Sequence, residues 1–295
     1  MPERPRPPPH PVRPAAALRP LLVAVLALAF GAAAAQPRVA DDGTIRYRVE
    51  PGDTLIGLGA RLLDPPTRWR DVQALNRIRV PSRLAPGTEL RIDPAWLRGE
   101  PSELTLDAVG GSATLDGAPA TAGARGRESS RVETGADGVV VVRLRDGTTL
   151  TIPPASAVRF ERLRQYLGTD SIEAGIGIER GAVETRSAPG RARGLQIRTP
   201  AATAAVRGTD FRVRSSGPES AIEVLAGLVG ASGPGGRAEL PAGRGAIAAI
   251  DRPPRVESLL PGPALDGLPA RVESPAATLR FAPVEGAGAY RVRVA

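Results

Sequence analysis

Ile45, Tyr47 and Val49 fall on one side of a period-two alternation, which predicts a strand over 45–50. Pro51-Gly52 turns the chain. Asp53 and Thr54 follow, residue types that cap a helix by accepting from its free first-turn amides. Leu55, Leu58 and Leu62 recur at helical spacing and predict a helix that stops before Asp64-Pro65-Pro66. A second helix is expected from Thr67, with Trp69, Val72 and Leu75 on its buried side. Leu90 and Ile92, after Pro86-Gly87, supply a closing strand. The order is strand, helix, helix, strand, and a unit of this size can bind something but has little room for an active site.

From Glu103 the helical period vanishes. Short alternating runs take over: Leu104-Thr105-Leu106, Val140 to Leu144, Leu150-Thr151-Ile152, Leu195 to Arg198, Phe211 to Arg214, and Ile222-Glu223-Val224. Asp146-Gly147 predicts a tight turn between two of them. Helical character is expected only near Gln165-Tyr166-Leu167. Pro253-Pro254 and Pro261-Gly262-Pro263 read as a linker.

Composition agrees with short strands and many turns. Gly numbers 34 and Pro 31 in 295 residues, and only 3% of the chain is aromatic, so the cores must be built from Val, Leu, Ile and Ala. All 39 basic residues are Arg; with the Ala, Gly and Pro excess, this reads as codon bias rather than selection for guanidinium chemistry. The net charge is +8, and four arginines against Glu3 in residues 1–35 supply three of those charges. The remainder is spread among acids, a weak footprint for nucleic acid, which is not expected as a partner.

Residues 1–35 read as a signal peptide. An Arg-bearing start precedes the apolar run Leu21 to Phe30, and Ala33-Ala34-Ala35 predicts cleavage before Gln36, an uncleaved anchor being the alternative. The run is shorter than the roughly 20 residues a membrane span needs. Cysteine is absent and the single histidine, His10, lies in this leader. That removes Cys nucleophiles, Ser-His-Asp triads and nearly all zinc sites, leaving only carboxylate chemistry open to an enzyme. No cofactor or metal is expected. Asp137, Asp146 and Asp210 sit where turns or strand edges account for them.

The first module resembles the LysM domain. The resemblance rests on Gly52-Asp53-Thr54-Leu55 after a strand, on Leu75-Asn76-Arg77-Ile78, and on the finish Leu84-Ala85-Pro86-Gly87-Thr88-Glu89-Leu90-Arg91-Ile92. It departs at Gly57-Leu58-Gly59-Ala60, where two glycines should weaken the first helix by roughly 0.5–1 kcal/mol each. The resemblance implies binding of peptidoglycan or another N-acetylglucosamine-containing glycan in a shallow groove between two loops. Carried over by position, the site is Gly52, Asp53, Thr54, Leu55, Asn76, Ile78, Arg79 and Val80. Asp53 and Thr54 could equally cap the helix, Asn76 close the second helix, and Leu55 belong to the core.

The β-rich region resembles the FecR domain. Thr134-Gly135-Ala136-Asp137-Gly138, Arg145 to Leu150, Gly181-Ala182-Val183, Thr199-Pro200-Ala201, Val206-Arg207-Gly208-Thr209-Asp210-Phe211, Val224 to Val229 and Leu240-Pro241-Ala242-Gly243 carry the likeness. It implies a β-roll or solenoid-like stack with glycines at corners. Ala277 to Ala287 and Tyr290 to Val294 resemble the early strands of a fibronectin type III-like sandwich, which would be partial.

The fold class expected is therefore multi-domain: a βααβ LysM unit, a mainly-β FecR-like domain and a partial β-sandwich. The expected boundaries are signal peptide 1–35, linker 36–45, LysM 46–95, FecR-like 103–250, Pro-rich linker 251–264 and partial sandwich 265–295. The function expected is non-catalytic: a protein exported to the bacterial periplasm or cell envelope, in which the LysM module tethers the β domain to the wall to meet another envelope protein. An envelope-sensing regulator is the alternative, and an accessory peptidoglycan hydrolase the third reading.

Overall fold

The structure is a computed structural model that describes residues 38–39, 44–167, 171–187, 194–263, 281–288 and 290 (for 38–39 and 207–208, the backbone alone). The expected signal peptide lies outside the described residues. Among those residues no helix is long and apolar enough to cross a membrane.

The first module is built as its alternation and spacing predict. Strands β1 (Arg38–Val39), β2 (Ile45–Arg48) and β3 (Glu89–Ile92) form an antiparallel sheet with β2 central, Ile45 opposite Ile92 and Tyr47 opposite Leu90. Helix α1 (Leu55–Leu62), a 3-10 turn at Pro66–Arg68 and α2 (Trp69–Asn76) cover it. Ile45, Leu55, Leu58, Leu62, Val72, Leu90 and Ile92 are buried in one cluster, with Trp69 packed at its margin. One expectation changes: β1 lies in the stretch 36–45 expected to be a linker.

Gly59 also departs from expectation. A Cβ there would lie 2.6 Å from the Pro66 carbonyl oxygen and 3.0 Å from the Trp69 Cβ, so this glycine lets the two helices approach. Helix propensity alone would have alanine stabilise α1 by up to about 1 kcal/mol. Crowding outweighs that gain, because the nearest obstacle is backbone. Gly59→Ala is expected to lower stability by about 1–3 kcal/mol, read from the unfolding midpoint by fluorescence. The chain's two tryptophans, Trp69 and Trp96, both belong to this module or pack against it.

Everything from β4 onward is one hydrogen-bonded system of sixteen strands among the described residues. Its elements are β4 (Gly99–Pro101), β5 (Glu103–Gly110), β6 (Ala113–Leu115), β7 (Ala118–Pro119), β8 (Arg125–Arg127), β9 (Arg131–Thr134), β10 (Val139–Leu144) and β11 (Thr149–Ile152). They continue through β12 (Ala157–Tyr166), β13 (Ile172–Arg186), β14 (Gly194–Arg198), β15 (Thr203–Ser215), β16 (Glu219–Gly233), β17 (Gly236–Pro241), β18 (Arg244–Ala249) and β19 (Arg252–Ser258). Its buried apolar residues, from Leu104 to Ala248, form a single cluster, so the sheet must fold over on itself, its edges left open, to cover them.

Three long strands do the turning. The first half of β13 pairs with β12 and, in parallel, with β14; its second half pairs with β15 and β11. The change of partners falls at Gly181, whose φ is +82. β15 and β16 change partners part-way in the same manner, β15 from β14 to β13 and β16 from β18 to β17. The Asp146-Gly147 turn forms between β10 and β11 as expected, with Gly147 at φ +86.

Three further expectations are corrected. Gln165-Tyr166 is not helical: β12 runs to Tyr166, and its end pairs with β4, Tyr166 opposite Gly99. The gap expected between modules at 96–102 is thus part of the sheet. Leu63 bridges Leu97 and the Arg98 N–H donates to the Leu62 carbonyl at 2.7 Å. Finally, the linker expected over 251–264 contains β19, paired along β18 despite Pro253 and Pro254. As the edge strand, β19 can carry prolines because one row of its amides needs no partner. Of the partial sandwich expected at 265–295, residues 265–280, 289 and 291–295 lie outside the described residues, as does residue 264 of the linker. Phe281–Gly288 and Tyr290 contain no strand, and the Phe281 and Tyr290 rings meet edge-on at 4.8 Å.

Candidate glycan-binding site

Two loops meet at the N-terminal end of α1. One follows β2 and runs to Thr54; the other follows α2. The Leu55 N–H donates to the Pro81 carbonyl at 2.9 Å, which bonds the second loop to the first turn of the helix. Gly52 shapes the first loop at φ +91, and a Cβ there would meet nothing within 4 Å, so the turn itself requires glycine.

The candidate residues divide by what already engages them. Thr54 is the N-cap of α1, its hydroxyl oxygen accepting from the Gly57 N–H at 3.0 Å. Asp53 accepts from the Tyr47 hydroxyl at 2.7 Å, the Glu50 N–H at 2.8 Å and the Arg61 guanidinium at 3.1 Å. Arg61 also donates to the Tyr47 oxygen at 2.6 Å. Burial, and then the bond to Asp53, push the Tyr47 hydroxyl well above the usual tyrosine range. Asp53 thereby holds the loop to the strand. Leu55 is fully buried.

Asn76 ties α2 to β3. Its amide donates to the Val72 carbonyl at 2.8 Å and the Arg91 carbonyl at 2.7 Å, and its oxygen accepts from the Arg91 N–H at 2.7 Å. Asn76→Ala is expected to cost about 2–3 kcal/mol, because it strands main-chain groups of a half-buried strand. Denaturant unfolding followed by tryptophan fluorescence measures it. Arg77 ends α2 in the left-handed region at φ 52, after which Ile78 is half-buried and Arg79 and Val80 are exposed.

One residue escaped the sequence reading. Ile56 is 54% exposed beside buried Leu55, and Val80 is 51% exposed beside Pro81. Each is the chain neighbour of one end of the Leu55–Pro81 bond. The signal for Ile56 was an isoleucine out of phase with the Leu55, Leu58, Leu62 stripe.

The family model for the LysM domain matches residues 47–93, and that for the FecR protein matches residues 130–230. The chain carries a LysM domain followed by a FecR domain. No curated protein matches it. Two crystal structures of a proposed anti-sigma factor from Parabacteroides distasonis ATCC 8503 are similar at 18% identity and a TM-score of 0.36. The match covers 43% of this chain and 59% of that one, less than two thirds of its length.

In the FecR region the three aspartates noted above have local roles. Asp137 accepts from the Ser112 N–H at 3.3 Å, and hydrogen bonding by Ser112 holds its carboxyl below the usual range. Asp146, buried, accepts from the Thr148 N–H and hydroxyl, both at 2.9 Å. Asp210 lies 3.5 Å from Arg186. The LysM core extends beyond its own segment: Leu97 belongs to it, and Tyr166 and Leu167 at the end of β12 pack against it. Burial, and then the charge of Glu173, push the Tyr166 hydroxyl up to about 12.

Proposed function

We propose that the chain is an exported, non-catalytic envelope protein whose LysM domain binds peptidoglycan or another N-acetylglucosamine glycan and holds the FecR domain there to meet a further envelope protein. The observation that carries this reading is the junction of the two loops at the Leu55–Pro81 bond, with Ile56 and Val80 exposed beside it. Their side chains suit the methyl of an N-acetyl group, and the loop amides and carbonyls around Gly52, Ile78 and Arg79 suit its acetamido dipole. Ile56, Thr54, Ile78, Arg79 and Val80 would face the sugar. Asp53, Leu55 and Asn76 would keep the loops in place.

The join between domains refines the mechanism. A flexible tether raises only the local concentration of what the second domain binds. Here β4 pairs with β12, the Leu167 N–H donates to the Arg98 carbonyl at 3.0 Å, and Tyr166 and Leu167 enter the LysM cluster. A glycan held by the first domain thus sets the orientation of the second. The same join favours a second reading, in which the FecR domain relays an envelope state to a membrane partner.

Co-sedimentation of the full chain with purified peptidoglycan tests the proposal. Retention is expected, without release of soluble muropeptides. A chain that stays in the supernatant removes the anchoring reading, and released muropeptides would revive the enzymatic one.

A further inference from the structure

The loop after α2 carries positive charge that its surroundings do not balance. Residues 72–88 contain Arg77, Arg79 and Arg83 and no acidic residue. All three arginines are exposed, and none of their side chains makes a hydrogen bond or ion pair among the described residues. Arginines on the helices themselves are engaged. Arg61 reaches Asp53 at 3.1 Å, Arg68 reaches Asp71 at 2.8 Å, and Arg70 lies over the Trp69 ring at 4.6 Å.

Arg77 has a local explanation: it ends α2, and a cation is favoured beside the unpaired carbonyls of a helix C-terminus. Arg79 and Arg83 have none. The Arg83 N–H donates to the Val80 carbonyl at 3.2 Å, closing a four-residue turn through Pro81 and Ser82. Such a turn brings its ends to within roughly 7 Å, Cα to Cα. Exposed Val80 therefore stands between two guanidinium-bearing residues, one its chain neighbour and the other across the turn. The Pro81 carbonyl, by taking the Leu55 N–H, fixes this turn on the start of α1. In the first loop the Asp53 side chain is 7% exposed and engaged by Tyr47, Glu50 and Arg61, while Glu50 is exposed and pairs with neither arginine.

Arg127 and Arg145 in the FecR domain are also exposed and unpaired, so lack of a partner alone marks nothing. What marks Arg79 and Arg83 is their place on either side of Val80, in a stretch without acids. Two like charges on one turn repel, and an anion entering between them relieves the repulsion.

We propose that Arg79 and Arg83 make the groove selective for glycans carrying a carboxylate beside the N-acetyl group, against uncharged N-acetylglucosamine polymers. This inference rests on the glycan-binding reading above and narrows its ligand to the anionic sugar chain of peptidoglycan. With an acetyl methyl on Val80, an acidic substituent of that sugar or the next would fall between the two guanidinium groups. A guanidinium meets a carboxylate in a planar two-point fork. Two sources share this chemistry: the lactyl carboxylate of a sugar freed of its peptide, and the carboxylates of an attached stem peptide. An uncharged polymer offers the same acetyl groups and nothing for the arginines.

The test is calorimetric titration of the full chain with soluble ligands of matched sugar length. They are a chitin oligomer, a peptidoglycan oligomer stripped of peptide, and a peptide-bearing one with its carboxylates free or amidated. At least one carboxylate-bearing ligand is expected to bind about tenfold more tightly than the chitin oligomer, the scale of one charge-assisted hydrogen bond. The tighter of the two identifies the source. Salt at about 1 M, where the screening length falls to roughly 3 Å, should remove the difference. Arg79→Gln with Arg83→Gln should bring the carboxylate ligands down to the chitin value and leave chitin binding unchanged, which also reports an intact loop. Arg127→Gln with Arg145→Gln removes the same charge far along the chain and should alter neither. Equal affinity for charged and uncharged ligands, tight binding that survives amidation of the peptide-bearing ligand when it is the tighter one, equal weakening of every ligand by the Arg79 and Arg83 variant, or an equal loss from the Arg127 and Arg145 variant would overturn the proposal. Each of those results leaves glycan binding itself standing. A chain that binds none of the ligands removes both readings.

Discussion

Gly181→Ala is expected to destabilise the FecR domain by about 2–5 kcal/mol, from two additive costs. The residue sits at φ +82, where any Cβ costs about 1–2 kcal/mol. That Cβ would also lie 2.3 Å from the Ser156 hydroxyl oxygen and 2.6 Å from the Ser156 Cα. Ser156 cannot step aside. It is fully buried, its N–H donates to the Thr134 hydroxyl, its carbonyl accepts from the Thr134 N–H, and its hydroxyl accepts from the Ala182 N–H. Gly147→Ala separates the two costs, since φ is +86 there but nothing lies within 4 Å of the added carbon. It should cost only the backbone term. Unfolding by urea, followed by far-ultraviolet circular dichroism, reads both. Equal midpoints for the two variants would mean that crowding at the bend of β13 is not what glycine relieves.

Replacing Ile56 and Val80 together by aspartate is expected to reduce retention on peptidoglycan at least tenfold while leaving the LysM domain folded. Both side chains are more than half exposed, so their loss should move stability by no more than about 0.5 kcal/mol each. A buried charge against an acetyl methyl, by contrast, is costly to desolvate. Asn76→Ala is the useful contrast. It should lower the unfolding midpoint, and any loss of binding would follow the loss of fold. If the double aspartate variant binds as the unaltered chain does, the glycan does not lie between these loops.

Much of the LysM domain was legible because its signals are local. The Leu55, Leu58, Leu62 stripe, the Thr54 cap, and the Gly52 turn each act within a few residues of one another, and each appears where the spacing puts it. The split among the candidate residues was not legible. Asp53 and Thr54 look alike in sequence, yet one caps α1 and the other is locked to Tyr47 and Arg61, and the second outcome depends on a partner eight residues on. Ile56 was passed over because an apolar residue off the helical stripe carries no sign of whether anything covers it.

In the FecR domain the alternating runs marked parts of β5, β10, β11, β14, β15 and β16, but they missed β13 and understated β15 and β16. Those strands continue through glycines that read as breaks, and only partners on both sides keep the backbone extended there. Pro253-Pro254 misled for a related reason: proline forbids a central strand but not an edge, and edge position is a property of the finished sheet. The helix-or-strand choice at Tyr166 was likewise settled by β4 and by the LysM core waiting beside it.

By itself, then, the chain determined its two domain types, the caps and turns, the apolar stripes, and the absence of histidine and cysteine side chains from everything after His10. These follow from spacing and side-chain type, which act over a few residues. Tertiary structure alone decided that the domains share a join instead of a string, that Asn76 holds a strand, and that Glu184 is buried within the sheet. Each of those depends on residues far apart in sequence meeting, and burial and partner choice exist only once they have met.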